Sequence, residues 1–193
     1  MKKTLVLLVL LSLIAASAQA QSTFGAAWSL GIPTGNTSDF ASGFSFRGVS
    51  LDWRNFRSRD VAIGASIGWN VFNEEESGTR DFGDVAVTGK NWNYVNAIPI
   101  YVNGYKYFGE DRRTTRFFAG LNAGTIWVER RTEFSLYALD DKNWHLAVAP
   151  EVGVQLPWSS FLGYAAVRYN VGFSSGEADT QSWIDIRLGF GLD

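Results

Sequence analysis

The chain has 193 residues, a formal net charge of −2, 46% hydrophobic residues, eight tryptophans and no cysteine. The acidic balance argues against nucleic acid as a partner, and a chain without cysteine must be stabilised by its core, a closed sheet or a membrane. A single histidine, His145, excludes metal sites built on several histidines.

The first element is MKKTLVLLVLLSLIAASAQA, with Lys2 and Lys3, an apolar run from Leu5 to Ile14, and the small residues Ala18-Gln19-Ala20. This layout predicts a secretory signal peptide over residues 1–20, cleaved between Ala20 and Gln21. Its apolar run is too short to span a bilayer comfortably as an anchor. Removing twenty of the 193 residues leaves 173, residues 21–193, which suffices for one domain. Losing Lys2 and Lys3 takes the charge from −2 to −4. No later run approaches the roughly 20 apolar residues of a transmembrane helix. Spanning strands alternate, however, so their average hydropathy looks ordinary, as the mean hydropathy of −0.04 does here.

About eight period-two segments follow. The first, residues 23–32, sets Phe24, Ala26, Trp28, Leu30 and Ile32 against Gly25, Ala27, Ser29 and Gly31. The second sets Val49, Leu51 and Trp53 against Ser50, Asp52 and Arg54, and the third sets Val61, Ile63, Ala65, Ile67, Trp69 and Val71 against Ala62, Gly64, Ser66, Gly68 and Asn70. In the fourth, Ile98, Ile100 and Val102 oppose a largely aromatic face of Tyr101, Asn103 and Tyr105. The fifth opposes Phe117, Ala119, Leu121, Ala123 and Trp127 to Gly120, Asn122 and Gly124. The sixth runs from Trp144 to Leu156 with every even position apolar, the seventh opposes Val167, Tyr169 and Val171 to Arg168, Asn170 and Gly172, and the last opposes Ile184, Ile186, Leu188, Phe190 and Leu192 to Asp185, Arg187, Gly189 and Gly191. Short connections near 57–59, 109–113 and 157–160 alternate with longer polar ones near 33–42, 73–90, 129–142 and 174–180. One end of the molecule is therefore tight and the other elaborate.

Two architectures share such a pattern: a soluble up-and-down barrel around a greasy cavity, and a membrane barrel whose greasy face meets lipid. The polar phase, rich in Gly, Ala, Ser and Asn with scattered single charges, suits the crowded interior of a narrow barrel better than a face in water. Trp53, Trp69, Trp92, Trp127, Trp144 and Trp158 fall about one per strand and form a candidate interfacial girdle. The expected fold is all-β: an eight-stranded antiparallel up-and-down transmembrane β-barrel after a cleaved signal peptide, with both termini periplasmic and the long connections outward.

The stretches RGVSLDWRNF and VAIGASIGWNVF between Gly43 and Asn73, then NYVNAIPIYVNGYKYF, and WHLAVAPEVGV followed by VRYNVGF, resemble the small outer-membrane β-barrel family of Gram-negative bacteria, with its OmpA, OmpX and OmpW-like barrels. The resemblance covers essentially all of the chain after residue 20. It implies residence in the outer membrane among its lipids and lipopolysaccharide, and barrel-assembly machinery as the partner during biogenesis. Such barrels commonly end in an aromatic residue, whereas this chain ends Phe190-Gly191-Leu192-Asp193.

A lumen this narrow is filled by side chains, and charges inside it need partners. Glu151 and Arg168 are expected inward on neighbouring strands, with Asp52, Arg54, Asp185 and Arg187 extending a salt-bridge network. A narrow pore for small solutes is the alternative. Outer-membrane lipid A deacylases also use small barrels, but His145 lacks the nearby serine on its own strand that such chemistry uses, so it reads as a polar residue near the outer rim. Glu74, Glu75 and Glu76, with Asp81 and Asp84, lack a defined metal-ligand spacing and read as a solvated loop, as does Asn36-Thr37-Ser38. No cofactor, metal or catalytic residue is expected, and the function is a structural or surface-interaction one, with any ligand taken by the outer loops. Pro150 and Pro99 lack the N–H that a closed ladder requires, which predicts a bulge or an unpaired carbonyl beside each. A charge placed in the lipid-facing stripe near the midplane, Val148→Arg, is expected to cost about 2–4 kcal/mol in unfolding measured in detergent or lipid; an unchanged stability would remove that assignment.

Overall fold

The computed structural model describes residues 22–81, 86–109, 114–134, 137–158, 161–176 and 178–192. Residues 1–20 and the expected cleavage positions Ala18, Ala20 and Gln21 lie outside them. Eight strands, β1 (Ser22–Thr34), β2 (Ser45–Phe56), β3 (Val61–Asp81), β4 (Ala86–Phe108), β5 (Arg116–Phe134), β6 (Tyr137–Trp158), β7 (Phe161–Gly172) and β8 (Gln181–Leu192), pair antiparallel with their sequence neighbours. β1 closes on β8, giving a barrel without edges at its waist. One short helix, α1 (Gly35–Phe40), follows β1.

Followed by register, the row that begins at Trp144 runs through Trp127, Ile98, Trp69, Val49 and Trp28, then Leu188 and Ala165, and returns to β6 at Val154, with Ile98 and Trp69 aligned by the pairs on either side of a gap in the β3–β4 ladder. The offset, 154 − 144 = 10 residues, is the stagger that closes the sheet, and it goes with strands tilted by roughly 35–45°. Eight strands at this tilt leave room for side chains and little else.

Burial follows the period of two. Leu146 is 72% exposed and Ala147 beside it 4%, and the same alternation separates Val102 from Tyr101. Two aromatic-rich packs fill the lumen. One, with Phe72, Val95, Tyr101, Ile126 and Trp183, lies toward the hairpin end and is joined by Ala41 after α1. The other, with Phe56, Tyr105, Tyr107, Phe118 and Tyr164, lies toward the tight end.

Two expectations need correction. Residues 73–90 and 129–142 are not long loops: β3 and β4 stay paired out to Asp81 and Ala86, and β5 and β6 out to Phe134 and Tyr137. Because β4 also pairs with β5 as far as Asn91 and Phe134, β3 to β6 continue as one four-stranded sheet beyond β1, β2, β7 and β8. The segments look like loops in sequence because, among the described residues, polar and charged side chains occupy both faces of β5 there, Arg130 and Thr132 on one and Glu129 and Arg131 on the other, so the apolar alternation is lost. Second, of the bulge or unpaired carbonyl expected at each proline, no bulge forms, while the ladder is interrupted on one side. The ladder is continuous at Leu121–Pro150 and Pro99–Ile126, and on the other side of each proline it skips two residue pairs and resumes in the same register. The missing donor costs local hydrogen bonds, but the pairs on either side hold the strand in place. The register shift lies elsewhere, between Ser29 and Gly31 of β1 opposite β2. The strands run from 12 to 23 residues.

Glycines make room for the lumen's tyrosines. A Cβ at Gly120 would run into the Tyr105 ring, and one at Gly189 into the Tyr164 ring. Gly120→Val is therefore expected to cost about 1–3 kcal/mol through overpacking, read by reversible unfolding in lipid vesicles. An unchanged stability would show that the ring is not seated there.

Candidate functional site

Three carboxylates and three guanidiniums expected in the lumen all face inward and are buried: Asp52, Arg54, Glu151, Arg168, Asp185 and Arg187. Glu151 sits directly opposite Arg168 in the β6–β7 ladder and is the hub. Its Oε2 accepts from Arg168 Nε at 2.8 Å, Arg168 Nη2 at 2.7 Å, the Tyr105 hydroxyl at 2.9 Å and Asn122 Nδ2 at 3.3 Å. Its Oε1 accepts from Arg187 Nη1 at 2.8 Å, with Arg54 Nη2 at 3.8 Å. Asp52 is the second acceptor: its Oδ2 takes Arg187 Nη2 and the Tyr164 hydroxyl, both at 2.6 Å, and Arg187 Nη2 also donates to Ser50 Oγ at 2.7 Å. One guanidinium thus bridges two carboxylates from β2 and β6, which are not neighbouring strands.

Arg54 balances its looser ion pair with rings. Its guanidinium lies 4.3 Å from the Tyr105 ring centre and about as close to Phe118 and Tyr164, and it donates to the Tyr107 hydroxyl at 3.0 Å. Asp185 departs from the expected salt-bridge network. Although Arg168 is its neighbour across β7–β8, its oxygens accept from Asn70 Nδ2 at 2.7 Å and Asn170 Nδ2 at 2.8 Å, so it is held by amides rather than by an arginine. Tyr101 extends that group by donating to Asn170 Oδ1 at 3.1 Å. Sequence reading missed Arg116, buried at the tight end, where it donates to Gln155 Oε1 at 2.9 Å and to the Arg59 carbonyl at 3.0 Å. It also missed Ser50, Asn70, Asn122, Tyr164 and Asn170 as partners. Their signal was only their inward parity.

A cavity of about 30 Å³ beside this network is lined by residues that include Asp52, Arg54, Tyr107, Gln155 and Tyr164. That holds about one water. The charges are arranged to neutralise one another.

His145, expected near the outer rim, is buried inside the lumen toward its hairpin end, and its Nδ1 is 2.9 Å from the Phe173 carbonyl. The cleft beside it holds about 10 Å³, and its other lining residues, Val128, Arg130, Asp141, Asn143, Ala178 and Gln181, bring no hydroxyl. Nearby, Thr37 of α1 bonds to Gln181 Oε1 at 3.0 Å and accepts the Ser182 N–H at 3.0 Å, while Arg130 packs over Phe40 and donates to the Asn36 carbonyl at 3.3 Å. The helix is thereby clamped across the lumen's hairpin end. Among the described residues no cluster of three acidic or histidine side chains could hold a metal ion. Glu74 instead accepts the Ser42 N–H at 2.8 Å, and the side chains of Glu76, Asp81 and Asp84 lie outside the described residues.

On the outside, Trp69, Trp144 and Trp158 are exposed, and Trp53, Trp92 and Trp127 are partly covered. Trp127 pairs with Trp144, and at the tight end Trp158 stacks on Phe161 at 5.8 Å while Phe108 pairs with Phe117. Trp53 pairs with Phe24, and Trp69 lies within β3 rather than at its end. Beyond Trp127 and Trp144 the outer face turns charged. Glu129 meets Lys142 at 2.9 Å, and Arg131 lies 2.8 Å from Glu133 and 3.7 Å from Asp140. The hydrogen bond from Lys142 holds the Glu129 carboxyl below its ordinary range.

A closed eight-stranded barrel with a packed, ion-paired lumen and an apolar outer band between aromatic rows is a small transmembrane β-barrel. No protein-family model matches the chain. No curated protein matches it. Solved structures do. The attachment invasion locus protein Ail of Yersinia pestis, solved with the heparin analogue sucrose octasulfate, is 15% identical, with 90% of this chain and 96% of that chain covered and a TM-score of 0.52. Neisserial surface protein A is 11% identical over 89% of this chain and 94% of that one, with a TM-score of 0.54. The N-terminal β-barrel domain of OprF from Pseudomonas aeruginosa is 13% identical over 90% of this chain and 98% of that one, at 0.50. At such identities the likeness is one of fold.

Removing the hub while keeping its shape, Glu151→Gln, leaves Arg168 and Arg187 without their shared carboxylate. The expected loss is about 3–5 kcal/mol in equilibrium unfolding in lipid. A loss below about 1 kcal/mol would mean that the arginines are compensated elsewhere.

Proposed function

We propose that the protein is an integral outer-membrane barrel, exported by a signal peptide removed after Ala20, whose role is structural and surface-interacting rather than catalytic. The observation that carries this is the contrast between its two parts. Inside, paired charges lie between two aromatic packs under a clamped helix, and outside, a four-stranded sheet projects beyond the barrel. Such a lumen stiffens a scaffold, and such a sheet presents a surface. The barrel-assembly machinery inserts it, and membrane lipid and lipopolysaccharide surround its apolar band.

Ail's sulfated ligand raises the question of whether this sheet takes a similar one. Among the described residues of the projecting β5–β6 hairpin, Arg131 and Lys142 are already engaged by Glu133, Asp140 and Glu129. That mixed-charge surface favours a polar or protein partner over a polysulfated one. The lumen likewise weighs against the narrow-pore reading, and the small cleft at His145 against lipid turnover.

Fractionation followed by planar-bilayer recording tests the proposal. The expected result is outer-membrane recovery of a protein beginning at Gln21, with no steady conductance from the refolded barrel and an unchanged lipid profile in cells carrying His145→Ala. A steady open level would overturn the sealed lumen, and recovery in a soluble fraction would overturn the membrane assignment.

A further inference from the structure

The outer face of a barrel is convex, yet between β8, β1, β2 and β3 it is recessed. Ala26 faces outward there, ringed by Trp28, Val49, Leu51, Ile67, Leu188 and Phe190, around a hollow of about 740 Å³ with an almost wholly apolar lining. Trp28 forms a fixed wall, because its indole N–H donates to the Phe46 carbonyl at 2.7 Å. That carbonyl is available because of the register shift opposite Ser29 and Gly31. The extra residue leaves both Phe46 and Arg47 exposed between the buried Ser45 and Gly48. The same irregularity that locks the tryptophan therefore turns a guanidinium outward, two residues beyond Val49 toward the hairpin end.

We infer that this recess is a binding site for one phosphorylated glycolipid of the outer leaflet, lipid A, with an acyl chain in the hollow over Ala26 and a phosphate on Arg47. Three features select this occupant. The lining offers nothing to a polar ligand. The exposed Arg47 lies two residues beyond the lining residue Val49 on β2, toward the hairpin end, the side on which an outer-leaflet headgroup lies. And a guanidinium suits a phosphate, with bidentate hydrogen bonding that a neutral headgroup does not offer. The site rests on the outer-membrane reading above.

Native mass spectrometry of the barrel released from non-ionic detergent tests it, using bis-phosphorylated lipid A, its dephosphorylated form and phosphatidylglycerol as separate probes. Wild type is expected to retain one bis-phosphorylated lipid A in preference to the other two. Ala26→Trp fills the recess and is expected to reduce that retention at least tenfold. Arg47→Gln, at an exposed position, is expected to lower it severalfold, to the level of the dephosphorylated lipid. Equal retention by Ala26→Trp, by Arg47→Gln or for phosphatidylglycerol would overturn the site, as would no retention by wild type. Heat-modifiable migration of each sample separates the outcomes: a folded barrel without lipid sinks only this site, whereas a chain with no heat-resistant barrel sinks the membrane reading itself.

Discussion

In hydrocarbon a backbone N–H or C=O has no water to turn to, so the sheet must close on itself. Everything else in this molecule follows from that closure. Eight strands staggered by ten residues make a narrow ring, and the period of two then sends every second side chain into it. The chain answers with glycine, alanine and asparagine where rings must lie flat, and with tyrosine and arginine where they must reach across. Tyr105 over Gly120 and Tyr164 over Gly189 are the two clearest cases, and both tyrosines spend their hydroxyls on the carboxylates of the central network.

That network depends on shared ligands more than on isolated pairs. Glu151 draws on β4, β5, β7 and β8, and Arg187 connects it to Asp52 on β2. Burying so many charges is costly, and the return is geometric: a strand that slipped by one residue would turn its charge toward lipid. The three arginines and two carboxylates at the centre are therefore best understood as pinning the register of strands far apart in sequence.

Much of this was legible. The turn near 157–160 is tight enough to set β6 against β7, so Glu151 opposite Arg168 followed from counting. What counting could not supply was contact between strands that are not neighbours, such as Arg187 with Asp52, because that depends on how small the closed ring is. Asp185 shows the same limit. Its neighbour across the ladder is Arg168, yet two asparagines reach its oxygens first. The prolines were half legible: a missing donor does interrupt the ladder, but a bulge needs an extra residue, and the extra residue lies near Phe46 instead.

The projecting sheet was illegible for a physical reason. Alternation reports an apolar face against a polar one, and among the described residues beyond Trp127 both faces of β5 are polar. A different signal persists there. The pairing that sets Trp127 against Trp144 also sets Glu129 against Lys142 and Arg131 against Asp140. Opposite charges at matched distances on either side of a presumed loop mark a hairpin as surely as alternating apolar residues mark a buried strand, since cross-strand pairs of opposite charge stabilise the ladder and like charges oppose it. The same pairing helps a surface sheet hold together beyond the barrel. Its β4–β5 centre carries hydrogen bonds on both sides, and ion pairs in place of apolar burial hold its outer face together.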